Sequence, residues 1–187
     1  VGSSRAYPVF RTDDLREAYR RARLLCGRMR PLEPELWLCA RTETVAEARG
    51  MAALLPAGMF DPSDYWASAD TWYLGAELPG DDRELAAALP LTVDAYAAPG
   101  PVEQAFLRAL HGGAATLLWR GAWPDVPGIP SASADPSNQR VELGLNEARP
   151  DGRHTVYVHF AEADEVGAAY LAAAVGGSVL GPVQVGR

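Results

Sequence analysis

The sequence predicts an α+β fold: a mixed or mainly antiparallel sheet with helices packed on one face. Three observations carry that prediction. Strand-like runs and helix-like runs alternate along most of the 187 residues. Two strand candidates, Arg140 to Asn146 and His154 to Phe160, follow each other directly across a turn carrying Pro150-Asp151-Gly152, as antiparallel neighbours do. And a chain of this length buries enough surface to fold without a disulfide or a metal.

Taken in order, Ala6 to Phe10 reads as a short strand, and Thr12-Asp13-Asp14 as a helix N-cap with acids at the positive end of the helix dipole. Leu15, Ala18, Ala22, Leu25, Cys26 and Met29 recur at helical spacing and mark one buried face. Arg16, Arg20 and Arg23 form a stripe on another face, read as solvated. Pro31 and Pro34 close this stretch. Leu36 to Arg41 is a buried strand, Thr44 to Leu55 a helix, and Pro56-Ala57-Gly58 its stop. Thr71 to Leu78 is expected to be a strand, Asp81 to Leu89 a short helix and Leu91 to Ala97 a strand. Pro101 to His111 is a helix with proline in its first turn, and Ala115 to Trp119 a strand. A long loop spans Trp123 to Gln139. After the paired strands, Glu162 to Val175 is an alanine-rich helix stopped by Gly176-Gly177, and Ser178 to Val185 a last strand.

These strand-helix-strand units resemble the ferredoxin-like plan with an added strand. The chain reads as a single domain over residues 1–187, with room for two lobes, 1–90 and 91–187.

All seventeen basic residues are arginine, matching a GC-rich coding sequence, and the formal net charge is −7. That balance excludes nonspecific nucleic-acid binding, which needs a basic footprint. It favours a basic protein or cationic ligand as partner. No apolar run reaches the eighteen or so residues of a membrane span. Cys26 and Cys39 both sit in apolar patterns and read as small hydrophobes in a reducing, cytoplasmic setting. The chain begins at Val1, which leaves open a signal peptide removed upstream.

Catalytic motifs are absent from the sequence. Of three histidines, His154 and His159 lie at an odd offset on one strand and should face opposite ways, and His111 ends a helix. There is no His-Glu-x-x-His, no Cys-x-x-Cys and no Gly-x-Ser-x-Gly, so no metal, cofactor or nucleophile is expected. Gly176 to Gly181 follows a helix and precedes a strand, the reverse of a phosphate-binding order.

One local stretch resembles a known family. Thr155-Val156-Tyr157-Val158-His159-Phe160 through Asp164-Glu165-Val166, with Val175-Gly176-Gly177-Ser178-Val179-Leu180-Gly181-Pro182, is similar to the opening strand-helix-strand of glyoxalase and bleomycin-resistance modules. The resemblance implies paired modules around a metal site or ligand groove, with His159 or Glu142 facing inward. In that family two further strands would follow, and its His and Glu metal ligands have no counterparts placed here.

The segment from Asp61 to Tyr73 is the least ordinary. Asp61, Asp64 and Asp70 interleave with Tyr65, Trp66, Trp72 and Tyr73, and Trp123 borders the long loop. Aromatic rings beside carboxylates suit a cationic group. Trp72 and Trp119 read first as core strand residues, whereas Tyr65, Trp66 and Trp123 stay open between packing and binding. The resulting expectation is a noncatalytic binding module of the inhibitor or immunity type, using Asp61, Asp64, Tyr65, Trp66, Asp70, Trp72, Tyr73 and Trp123. The alternative is a small-molecule-binding or enzymatic module of the glyoxalase/bleomycin-resistance type.

Overall fold

The protein is described by a computed structural model over residues 4–30, 35–62, 78–110, 112–125, 138–146 and 152–185. In chain order its elements are β1 (Arg5–Thr12), α1 (Leu15–Cys26), β2 (Leu36–Thr42), α2 (Val45–Leu54), β3 (Met59–Pro62), α3 (Asp82–Ala88), β4 (Leu91–Ala97), α4 (Pro101–Ala109), β5 (Ala115–Arg120), β6 (Arg140–Leu145), β7 (His154–Phe160), α5 (Glu165–Ala174) and β8 (Gln184–Val185). This is an α+β arrangement, and every described strand register is antiparallel. The chain forms two compact units, one of residues 1–35 with 118–187 and one of residues 36–117. A division near residue 90 would instead separate β2 from β4, which pair from Leu36↔Ala97 to Thr42↔Leu91.

In the first unit the strands lie in the order β6-β7-β1-β8. β7 is central, paired with β6 from Arg140↔His159 to Gly144↔Thr155 and with β1 from Arg5↔Phe160 to Thr12↔His154. All of its residues are buried, so both faces of the strand are covered. The register puts His154, Val156, Val158 and Phe160 on one face and Thr155, Tyr157 and His159 on the other, as their spacing predicted. Both helices lie on the first face. Arg21 of α1 sits 4.9 Å over the ring of Phe10, which opposes Val156. The N–H of Asp164, the N-cap of α5, donates to the Tyr7 hydroxyl at 3.0 Å, and Tyr7 opposes Val158.

The caps explain where these helices start. Asp14 Oδ1 accepts the N–H groups of Arg16 and Glu17, and Ala18, Ala22 and Leu25 form the buried stripe of α1. Glu17 pairs with Arg20 at 2.7 Å and Arg21 at 2.6 Å, which pulls its carboxyl down to about 2. Arg23 stands 5.9 Å over the Trp119 ring, so two members of the arginine stripe are engaged on the protein itself. α5 begins at Glu165 rather than Glu162, because Asp164 accepts the Gly167 N–H at 2.7 Å and caps there. Beyond α5 the chain turns at Gly176 (φ 68°) and passes so close to β1 that a Cβ on Gly177 would lie 2.2 Å from the Val9 carbonyl oxygen. Leu180 N–H then donates to Pro8 O, but ladder pairing is confined to Gln184 and Val185, so the last strand is shorter than predicted.

In the second unit the order is β3-β4-β2-β5. β2 and β4 alternate strictly: Leu36, Leu38, Ala40, Val93 and Ala95 are buried, while their neighbours are not. The buried side receives α2, which packs on both strands and against α4. α2 opens with a capping box, Thr44 Oγ1 accepting Glu47 N–H while Glu47 Oε2 accepts Thr44 N–H. Asp81 caps α3 as Asp14 caps α1, its Oδ1 accepting the N–H groups of Arg83 and Glu84, and α4 starts with Pro101 at its first turn. β3 was not predicted. Its four residues follow Gly58 and end at Pro62, and show too little alternation to register as a strand. Of the strand expected over 71–78, residues 71–77 lie outside the described residues.

Candidate functional site

Each unit has a sheet face that its own helices leave uncovered, and the two faces carry different chemistry. In the second unit the face opposite Leu36, Leu38 and Val93 presents Trp37, Cys39 and Arg41 from β2, Thr92, Asp94 and Tyr96 from β4, and Met59 and Asp61 from β3. The registers Cys39↔Asp94, Trp37↔Tyr96, Met59↔Asp94 and Asp61↔Thr92 fix that membership. Tyr96 is 62% exposed and Met59 45% exposed. Trp37, Cys39, Asp61, Thr92 and Asp94 are half-buried.

Asp61 and Asp94 are diagonal neighbours across β3 and β4. Burial raises both carboxyls above the usual range, and the charge of Asp61 pushes Asp94 up further. The indole N–H of Trp37 donates to Asp94 Oδ1 and partly offsets that shift. No arginine pairs with either aspartate among the described residues; the basic group on this face, Arg41, holds Glu43 at 2.6 Å. Two half-buried carboxylates thus stand next to aromatic surface on this face. Cys39 stands opposite Asp94 across β2 and β4, its thiol pushed up to about 12 by burial and then by the charge of Asp94. A thiol held in the neutral form is a poor nucleophile.

The corresponding face of the first unit is sealed. Ser4 Oγ lies 3.0 Å from His159 Nδ1, and His159 Nε2 lies 2.8 Å from Glu142 Oε2. Glu142 opposes Tyr157 on β7 and so stands diagonal to His159. Hydroxyl, imidazole and carboxylate in series have the polarity of an acyl-transfer relay. Ser4 and His159 are each 0% exposed, however, and a nucleophile must meet a carbonyl. The chemistry this arrangement supports is a buried polar tie between the start of β1, β6 and β7.

Of the residues singled out in the sequence, Asp61 stands on the open face of the second unit. Asp64, Tyr65, Trp66, Asp70, Trp72 and Tyr73 lie outside the described residues. Trp123 belongs to the first unit and is 8% exposed. Its indole N–H donates to the His159 carbonyl at 2.8 Å and its ring stands 6.1 Å from Phe160, so it packs within its own unit. Trp119 is likewise buried, beside Tyr19. Sequence reading missed Trp37, Asp94 and Tyr96, although on β4 the alternation of Thr92 and Asp94 with Val93 and Ala95 was available as a signal. Among the described residues no group of three or more His, Cys, Asp or Glu side chains is placed to hold a metal ion, and no helix is long and apolar enough to cross a membrane.

No family model matches the chain, and no curated protein and no solved structure matches it at a significant level.

Proposed function

We propose that this chain is a noncatalytic binding module whose residues 36–117 engage a basic protein, in the manner of inhibitor and immunity-type proteins. One observation carries the reading: the formal net charge of −7 resides wholly in that unit. Residues 36–117 hold eleven carboxylates against four arginines, whereas the rest of the chain holds thirteen of each. The open sheet face gives that charge a place to act, with Asp61 and Asp94 beside Trp37, Met59 and Tyr96 and, among the described residues, without a cationic partner. Complementary charge of this kind speeds encounter and selects partners, while the rings supply apolar contact area.

The same reading takes each unit as ferredoxin-like. Its support is connectivity. The first unit runs β1-α1-β6-β7-α5-β8 and the second β2-α2-β3-α3-β4-α4-β5. In both, the first and third strands are central, the second flanks the third, and the fourth flanks the first. Folds of this type leave one sheet face free for contacts.

The test is an amide-shift titration of the full chain with a peptide alternating arginine and leucine. Saturable shifts are expected on β2, β3 and β4, with affinity falling about tenfold or more between dilute and roughly half-molar salt. Replacing both aspartates (Asp61→Asn with Asp94→Asn) should weaken binding about tenfold. Shifts confined to α2 and α4, or equal binding of a glutamate-leucine peptide, would refute the proposal.

A further inference from the structure

The helices of the first unit differ in what they show to solvent. α1 turns Arg16, Glu17, Arg20 and Arg23 outward or half outward, the usual dress of a solvated helix. α5 does not. After Glu165 at its first position, its exposed residues are Val166, Ala169, Tyr170 and Ala173, with no charge among them. Val166 is 61% exposed and Tyr170 42% exposed, one turn apart on the same side. Its inner side is as apolar, with Ala168, Leu171 and Ala172 buried. A helix that is apolar all round belongs in an interior, and here half of it faces outward.

The uncharged surface continues past the helix. Val179, Leu180 and Val185 are all exposed, and this segment runs along β1, tied to it by Leu180 N–H to Pro8 O and by the pairs Ala6↔Gln184 and Arg5↔Val185. α5 packs on the same strand. From Val166 to Val185 the chain holds no acidic or basic residue.

We infer that this face is covered by a second copy of the chain, α5 against α5 about a two-fold axis. Charge selects the occupant. Past Glu165 the exposed residues of α5 carry no charge, so this face offers little to the basic partner that suits residues 36–117. It matches its own likeness, as a two-fold interface requires. The unit that carries it has thirteen carboxylates against thirteen arginines, so two copies meet here without net repulsion. The acidic unit would set eleven carboxylates and four arginines against the same. Ala169 and Ala173 let two helix backbones approach, and Tyr170 supplies the aromatic anchor that interfaces favour.

Light scattering coupled to size exclusion tests this on the full 20.0 kDa chain, from about 1 to 100 µM. The expected result is a dimer whose association holds or strengthens at high salt. Tyr170→Arg, and separately Leu180→Lys, should each weaken it about tenfold or more, with far-UV circular dichroism unchanged. Both sites are exposed, so either variant serves if the other misfolds. A wild-type monomer at about 100 µM overturns the inference, as does a dimer that both substitutions leave intact or that salt dissolves.

Discussion

The two units thread four strands in the same spatial order, yet they treat the sheet face opposite their helices in contrary ways. The first unit tucks Ser4, Glu142 and His159 out of contact with water and joins them to one another. The second leaves Tyr96 and Met59 in the open, with Asp61 and Asp94 half-covered and, among the described residues, unpaired with any arginine. Polar groups joined to one another in a buried network help to fix a structure, and the second unit's open face has no such network among the described residues. Charge follows the same division, since the first unit is electrically balanced and the second holds the entire excess of acid. One connectivity thus serves to hold and to present.

The largest effect should come from breaking the buried tie. His159→Ala removes a fully buried ring and its hydrogen bonds to Ser4 and Glu142, so it should cost about 3 kcal/mol in urea unfolding. Tyr96→Ala, on the open face, should cost well under about 1 kcal/mol. Equal losses at the two sites would erase the contrast. Cys39 sharpens it from the other side. With its thiol pushed up to about 12, its alkylation near pH 8 should run about a hundredfold or more slower than that of an ordinary exposed cysteine. Asp94→Asn should recover a small part of that rate, because the aspartate charge is the lesser cause after burial.

The smallest effect is a pH dependence at His154, on the helix-covered face of the first unit. Burial lowers its pKa despite the nearby charges of Asp13 and Asp14, and its Nδ1 faces the Asn146 N–H at 3.4 Å, a contact only the unprotonated nitrogen accepts. The unfolded chain therefore binds a proton more readily than the folded one. The contribution is complete above the unfolded value of about 6.5 and is lost as pH falls from there through the folded value. Urea midpoints measured across that window should drop for the wild type and drop less for His154→Asn.

Much of the fold was legible because its signals are local. β4 and β7 begin and end where alternation said, and Asp14, Thr44 and Asp81 cap helices as their side chains allow. The division of the chain was not legible, since it depends on β1 finding β7, and neither strand's own pattern names its partner. The candidate face was half legible. Asp61 was noticed for its aromatic neighbours in sequence, but its neighbours in space are set by register across β3, β4 and β2. Leu36 to Arg41 looked like one buried run because Trp37 and Cys39 are themselves hydrophobic. Only pairing reveals that every second residue leaves the core.

The interrupted path of the first unit bears on how the chain is made. Residues 36–117 are contiguous and can close into their own sheet as soon as they clear the ribosome. Arg5, by contrast, must wait for Phe160. At usual elongation rates that wait lasts roughly ten seconds or more, during which β1 and the apolar side of α1 have nothing to cover them. During synthesis the acidic portion can thus be complete while Arg5–Thr12 still lacks its partner strand.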